Sequence, residues 1–301
     1  MNKGHKKEIP GFRAGYAAIL GKPNVGKSTL LNQILDFDLS IVTPKPQTTR
    51  KKVIGILNSE LYQVIFVDTP GIIEPRYSLQ KIMMKYIRIA MEDADVLLYM
   101  VDASETHPEG EDVRVRVEKQ DKPVILLINK IDLIQKDRLL PLIEMYKNIY
   151  PFREIIPVSA LRKDGLDQTV QSVVRLLPQN PPYYPSDYVT DQQERFCVAE
   201  IIREKVFLRY GEEIPYSTHV EIEEFREREG RKDYIRATIH VEKYSQKGIL
   251  IGRDGHALKK VGELARKEME TFLNRPVFLE LFVKVSENWR KKEDTLRDLG
   301  Y

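Results

Sequence analysis

The sequence predicts an α/β domain with a doubly wound, mostly parallel sheet over residues 1–180, followed by a small α+β domain over 191–301. Three observations predict this. Short, unbroken apolar runs alternate with helical stripes in the first part. A proline cluster, PQNPPYYPSDYVT at 178–190, interrupts the pattern and marks a linker at 181–190. Beyond it, strands read as polar–apolar alternation. The 301 residues suit two domains, and a 42% apolar content lets each bury a core.

The apolar runs come first. They lie at 16–20, 64–68 (VIFVD), 96–102 (VLLYMVD), 124–129 (VILLIN) and 155–159 (IIPVS). Runs without polar alternation are what strands covered on both faces look like. Between them lie helices, such as the stripe Leu79, Ile82, Met83, Tyr86, Ile87, Ala90 and Met91. The last helix of this domain is predicted at 166–177, ending at Pro178. Strand–helix alternation of this kind builds a parallel sheet with helices on both faces.

After the linker the order changes to α-β-β-α-α-β. A helix is predicted at 191–209, strands at 218–225 and 234–242, and the charged turn REREGRKD between them. A short helix, the loop IGRDG, a helix at 257–274 and a strand at 276–285 follow. SENWRKKEDTLRDLGY then reads as a C-terminal helix in which Trp289 is a packing anchor.

Bulk properties bound the function. The net charge of +3 does not by itself argue for nucleic acid, although it allows a local basic patch. One cysteine, Cys197, allows no disulfide within the chain and fits a reducing compartment. No apolar run approaches the roughly 18 residues of a membrane span. The first residues, MNKGHKKEIPGFRAG, are basic without an apolar stretch behind them, so no secretory signal is expected.

GKPNVGKST, residues 21–29, follows the first strand and opens a helix. Gly21, Gly26, Lys27 and Ser28 match the phosphate-loop pattern. Glycines let backbone N–H groups turn inward toward phosphate oxygens, and the helix after them aims its positive end at the same place. Asn24, Val25 and Thr29 complete the phosphate-binding set. Lys27 supplies a cation to the outer phosphates, and the Ser28 hydroxyl is placed to bind Mg²⁺.

The base is read elsewhere. Asn129-Lys130-Ile131-Asp132 ends a strand, where open α/β sheets bind ligands. The Asp132 carboxylate can accept from the guanine N1–H and 2-amino groups. Adenine offers no such pair and would leave a buried carboxylate unsatisfied, a penalty of about 1–3 kcal/mol. An ATPase is thereby disfavoured. Lys130 packs its stem across the base, and Asn129 ties the base loop to the phosphate loop. Ser159, Ala160 and Leu161 follow the next strand and offer N–H groups to the guanine O6. Asp68-Thr69-Pro70-Gly71 ends VIFVD; Asp68 is expected to hold Mg²⁺ through its shell, and the Gly71 N–H to reach the γ-phosphate.

GKPNVGKS, QTTR, DTPG, NKID and SAL, in that order, resemble the Era family of bacterial Ras-like GTPases, and the likeness runs the whole chain. It implies that PKPQTTR at 44–50 is the first switch segment. Thr49, nineteen residues before Asp68, would complete the Mg²⁺ shell, with Thr48 as the alternative. Ras-like enzymes orient the attacking water with a glutamine after the DxxG glycine, but Ile72 stands here and cannot. Families of this kind hold a K⁺ ion with a phosphate-loop asparagine, here Asn24. Such a cation supplies the charge of an arginine finger; the alternative is that Asn24 only stabilises the turn.

Gly252-Arg253-Asp254-Gly255 fits the GXXG loop of a type II KH domain, joining two predicted helices. Between 249 and 267 five cations (Arg253, Lys259, Lys260, Arg266, Lys267) face two acids (Asp254, Glu263). Ile249, Ile251 and Ala257 are expected near a cleft holding about four bases, with Arg290, Lys291 and Lys292 extending an RNA track. The resemblance implies a cytoplasmic GTP/GDP-binding, GTP-hydrolysing protein, peripheral on the inner membrane in some settings. Its RNA would be single-stranded 16S rRNA near the 3′ end, bound during 30S subunit maturation; DNA is not expected. The alternative is a signalling GTPase whose second domain docks a protein or an anionic membrane surface.

Overall fold

The structure is a computed structural model, and it describes residues 11–105, 118 and 121–301. The basic N-terminal stretch therefore lies mostly outside the described residues. The chain divides into two compact units: residues 1–40, 49–73 and 83–191 form one, and residues 41–48, 74–82 and 192–301 the other.

The first unit holds a six-stranded sheet in the order β2-β3-β1-β4-β5-β6. Its strands are β1 (Arg13–Leu20), β2 (Val53–Asn58), β3 (Tyr62–Asp68), β4 (Val96–Asp102), β5 (Val124–Asn129) and β6 (Glu154–Pro157). All neighbours are parallel except the β2–β3 pair. The apolar runs are the strands, and β1, β4 and β5 are almost wholly buried. The sequence reading missed β2. VIGILN is short, and Gly55 interrupts its apolar pattern with a position that has no room for a side chain against Leu31 and Leu35. The helices are α1 (Lys27–Leu35), α2 (Ser78–Asp93), α3 (Lys136–Ile149) and α4 (Leu166–Leu176). The chain leaves β1 toward β3 on one side and returns to β4 on the other. This reversal opens a crevice at the carboxyl ends of the strands, where the loops that carry the motifs gather.

The proline-rich segment is not a free spacer. Gln63, buried on β3, accepts from the Tyr183 and Tyr184 N–H groups at 2.7 and 2.9 Å and donates to Tyr184 O at 2.9 Å. Farther on, the Ile56 N–H donates to Val189 O at 2.8 Å and Thr190 Oγ1 to Ile54 O at 2.6 Å. Residues 178–190 thus run as a strap along the first unit, and its boundary falls at residue 191.

The second unit is α5 (Glu194–Arg209), α6 (Ile214–Ser217), β7 (His219–Arg226), β8 (Asp233–Val241), α7 (Tyr244–Ile251), α8 (His256–Leu273), β9 (Val277–Val285) and α9 (Glu293–Asp298). Strand β8 is central, antiparallel to β7 and parallel to β9. Ile235, Ala237 and Ile239 of β8 meet Val198, Ile202 and Val206 of α5 and Val261, Ala265 and Met269 of α8 in one core. The expected C-terminal helix is broken. Asn288 takes a left-handed turn (φ 55), residues 289–291 form a 3₁₀ turn, and only α9 is helical. Trp289 is fully buried with Nε1 donating to Ser217 O at 2.8 Å, as a packing anchor does. Burial pushes the Cys197 thiol up to about 12, so it is an inert core residue. Among the described residues no helix is long and apolar enough to cross a membrane.

Candidate functional site

The phosphate loop turns directly off β1. Asn24 is exposed and adopts a left-handed backbone (φ 64), and Val25 is buried beneath the loop. Gly26 has φ 104, and a Cβ there would stand 2.2 Å from Asn129 Nδ2, so both backbone and space require glycine. Lys27 Nζ donates to Gly21 O at 3.1 Å and Lys22 O at 2.8 Å, which holds its ammonium across the loop. Thr29 is half-buried one residue beyond Ser28 in α1. The Ile72 N–H donates to Gly21 O at 3.0 Å, which brings Gly71 against the loop beside Pro23.

Ser28, Thr49 and Asp68 converge. Ser28 Oγ donates to Asp68 Oδ2 at 2.7 Å, Thr49 Oγ1 reaches the same oxygen at 3.3 Å, and the two hydroxyls lie 3.0 Å apart. Thr48 does not join them; its carbonyl accepts from Arg203. Of the two adjacent threonines, the geometry selects Thr49. Asp68 is fully buried, and desolvation raises its carboxyl above the usual range despite Lys27, Ser28 and Thr49. Its Oδ1 has no hydrogen-bond partner among the described residues. A buried carboxylate with an open lone pair beside two hydroxyls is a donor set for a hard, oxygen-preferring cation such as Mg²⁺.

Asn129 joins three loops. Its Nδ2 donates to Val25 O at 2.7 Å, and its Oδ1 accepts from the Ala160 N–H at 2.9 Å. Lys130 has φ 65, and its ammonium meets Asp102 Oδ2 at 2.5 Å. Burial alone would raise the Asp102 carboxyl, but hydrogen bonds from Lys130 and Ser104 outweigh it and hold the group below its usual range. The sequence reading did not single out Asp102. Its signal was its place at the end of VLLYMVD, paired in register with Asn129. Ser159 Oγ donates to Asp132 Oδ1 at 2.6 Å and fixes the carboxylate. Ala160 is buried, whereas Leu161 is exposed beside it. Ile72 packs against the sheet core and presents no polar group.

In the second unit, the GXXG loop caps α8. Gly252 has φ 70, and a Cβ there would meet the Ala257 Cβ at 2.6 Å. A cleft of about 410 Å³ opens beside Gly255. Leu258, Lys259, Gly262, Glu263 and Arg266 of α8 line one wall, and Val277, Phe278, Leu279 and Leu281 of β9 the other. The expected wall of Ile249, Ile251 and Ala257 is not this one. Ile249 is exposed on α7, Ile251 packs on the core, and Ala257 closes against Gly252. The β9 wall was hidden from sequence reading, because β9 reaches α8 only through the fold. Arg253 and Asp254 are exposed at the loop tip; Lys260 is turned to Glu263 at 3.2 Å. Arg290 is no free track cation: it pairs with Glu242 at 2.5 Å and lies over the Tyr77 ring. Lys291 and Lys292 are exposed.

Comparison with known proteins places the chain in a family. The family described as 50S ribosome-binding GTPase matches residues 16–130, and the KH domain family matches 213–290. The GTPase Era of Geobacter metallireducens is 49% identical over 292 residues, covering 96% of this chain and 98% of that one. The GTPase Era of Geotalea daltonii is 47% identical over the same shares. A crystal structure of an Aquifex aeolicus Era variant bound to GDP·AlF₄⁻ superposes with TM-score 0.92 at 42% identity, covering 96% of this chain and 99% of that one. The same figures hold for a structure of Era with MgGDPNP and nucleotides 1506–1542 of 16S ribosomal RNA. With both domain families matched and the relatives covering 96% of the chain, this chain belongs to the Era family of GTPases, enzymes that hydrolyse GTP to GDP and phosphate.

Proposed function

We propose that this chain is a Mg²⁺-dependent GTP switch that times its hold on single-stranded RNA from the 3′ end of 16S rRNA during 30S subunit maturation. The observation that carries the switch is the meeting of Thr49 and Ser28 on Asp68, because Thr49 belongs to a segment that a γ-phosphate and its metal would order. Ser28 and Thr49 would bind Mg²⁺ directly, with Asp68 orienting its shell. The ion supplies charge neutralisation across the outer phosphates. Lys27 adds a second cation there, the Gly26 and Lys27 N–H groups cradle the phosphates, and the Gly71 N–H senses the last of them. Asp132 reads guanine, held in place by Ser159, while Lys130 covers the base. Ile72 leaves the attacking water without a side-chain guide. Asn24, exposed on the loop, is our candidate for holding K⁺ beside the phosphates.

The RNA half is supported by the cleft beside Gly255 and by the relative solved with a 16S rRNA segment. Its apolar floor suits unstacked bases, and Lys259 and Arg266 suit the backbone. The test is binding of a labelled RNA copying that 3′ segment, in GDP and in a non-hydrolysable GTP analogue, to the wild type and to a Gly252→Asp/Gly255→Asp variant. Tight binding with the analogue, weaker binding with GDP and none by the variant is the expected outcome. Trp289 fluorescence checks that the variant is folded. Equal binding by the variant, or binding to anionic vesicles without RNA preference, overturns the proposal. K⁺ in place of Na⁺ is expected to speed hydrolysis, and Asn24→Ala to abolish the difference.

A further inference from the structure

Two buried side-chain oxygens of the first unit have no hydrogen-bond partner among the described residues: Asp68 Oδ1 and the hydroxyl of Ser40. Ser40 belongs to none of the nucleotide motifs and precedes PKPQTTR. Asn32 explains its place. Helix α1 ends at Leu35, and Asp36 takes a left-handed turn (φ 51). Asn32, buried on α1, then catches the chain beyond the turn. Its Oδ1 accepts from the Leu39 N–H at 3.1 Å and the Ser40 N–H at 2.9 Å, and its Nδ2 donates to Ser40 O at 2.8 Å. One amide thus clamps both backbone groups of Ser40 and leaves the hydroxyl uncommitted. Asn32 lies four residues beyond Ser28, so the two side chains share one face of α1, a turn apart. Ser28 Oγ donates to Asp68 Oδ2, so Asn32 delivers Ser40 to the side of α1 that holds Asp68. The electrostatics agree. Burial raises the Asp68 carboxyl, and Ser40 is among the groups that pull it back, with Lys27, Ser28 and Thr49. Ser40 is therefore near enough to favour the charged carboxylate, yet its Oγ makes no direct hydrogen bond.

A hydroxyl and a carboxylate oxygen buried near each other, each unsatisfied, are costly, and folded proteins resolve such pairs with ordered water or an ion. A buried water needs two or more polar partners, and Mg²⁺ keeps several of its waters when a protein binds it. We infer that Ser40 is a positioning residue for the metal: its hydroxyl and Asp68 Oδ1 together hold a water of the Mg²⁺ shell. Ser28 and Thr49 face the ion directly, and Ser40 and Asp68 through water. Ser40 and Thr49 bracket residues 41–48, so the shell ties both ends of that stretch to one carboxylate. This rests on the Mg²⁺ reading of the site and adds to it a residue that no motif contains.

The experiment measures the Mg²⁺ concentration that half-saturates binding of a fluorescent, non-hydrolysable GTP analogue. The full chain is used as wild type, Ser40→Ala, Asp68→Asn and the double variant. Ser40→Ala is expected to raise that midpoint by roughly threefold to tenfold, as for one lost hydrogen bond, with analogue affinity in EDTA unchanged. In the Asp68→Asn background Ser40→Ala should add little, because the two residues act through one water. Urea unfolding in EDTA separates this from a packing role: removal of an unpaired buried hydroxyl should leave Ser40→Ala at least as stable as the wild type. A wild-type midpoint in Ser40→Ala overturns the role of Ser40, and so does a loss that persists in full beside Asp68→Asn. A clear loss of stability in EDTA also overturns it, by making the hydroxyl a structural group. Each of these leaves Ser28, Thr49 and Asp68 standing as the metal site. Analogue binding by the wild type that ignores Mg²⁺ overturns the metal reading and this inference with it.

Discussion

A carboxylate cut off from water has to find a counter-charge, and Asp68 shows how much of this site follows from that need. It is fully buried and raised by desolvation, and it accepts from Ser28 and Thr49 with one oxygen while the other stays open. Asp68→Asn should weaken Mg²⁺-dependent GTP-analogue binding by tenfold or more, while binding in EDTA changes little; titrations with a fluorescent analogue measure both. Asp132→Asn should move preference from guanine to xanthine nucleotides, read by competition, because the amide offers a donor where guanine also donates. An unchanged GTP preference would falsify the base assignment. Asp102→Asn should cost about 1–2 kcal/mol of GDP affinity, since it frees Lys130 from a charge-assisted bond. The glycines, lysine and aspartates of these loops were legible because each motif is local: spacing alone sets the chemistry. Asp102 was not, because its role depends on which strand ends become neighbours; Thr49 was preferred from its spacing to Asp68, with Thr48 left open.

Elements carry a second layer of specificity. Gln63 spends its whole amide on the strap at 183–184 and on Asn58. Gln63→Leu should destabilise the first unit by about 2–4 kcal/mol, leaving backbone groups unpaired, and should open residues 181–190 to limited proteolysis. A strap that stays protected in that variant would show that its anchoring lies elsewhere. The prolines announced a break in the fold, but nothing in them announced a partner 120 residues upstream. The same holds for Arg290, whose sequence neighbours suggest a basic track and whose actual partner is Glu242 on the far side of three elements. His240 on β8 sits between Glu221 and Ser286, 2.9 Å from each. Burial lowers its pKa below 6.5, outweighing the upward pull of Glu221. A lowered folded pKa means the unfolded chain takes the proton first. The stability from His240 is therefore complete above pH 6.5 and lost as pH falls below it. Urea midpoints of the second unit should drop between pH 7.5 and 5.5, and His240→Gln should flatten that slope.

At the scale of the whole molecule, the alternation of apolar runs and the proline break pointed to two units, and the chain divides into two. What the sequence did not disclose is that residues 41–48 and 74–82 group with the second unit. Their membership depends on contacts such as Lys45 with the carbonyls of Phe207 and Tyr210, which no local pattern encodes. The core of the second unit nonetheless draws all its buried members from residues 198–283. A chain of residues 192–301 should therefore fold alone, with the emission of Trp289, the only tryptophan, as blue as in the full chain. A red-shifted spectrum in buffer would mean that the two inserted segments are required.

The asparagine that begins the base loop has one more consequence. Asn129 is bonded to Val25 on one side and Ala160 on the other, protein group to protein group, so the fold sets the span between the base reader and the phosphate reader. The site is a ruler as well as a pair of pockets. A ligand of matching length delivers its second end at high effective concentration once the first is seated. Guanosine and pyrophosphate offered as separate molecules lose that advantage. Loosening the ruler with Asn129→Ala should lower the affinity for intact GDP far more than the affinity for either fragment.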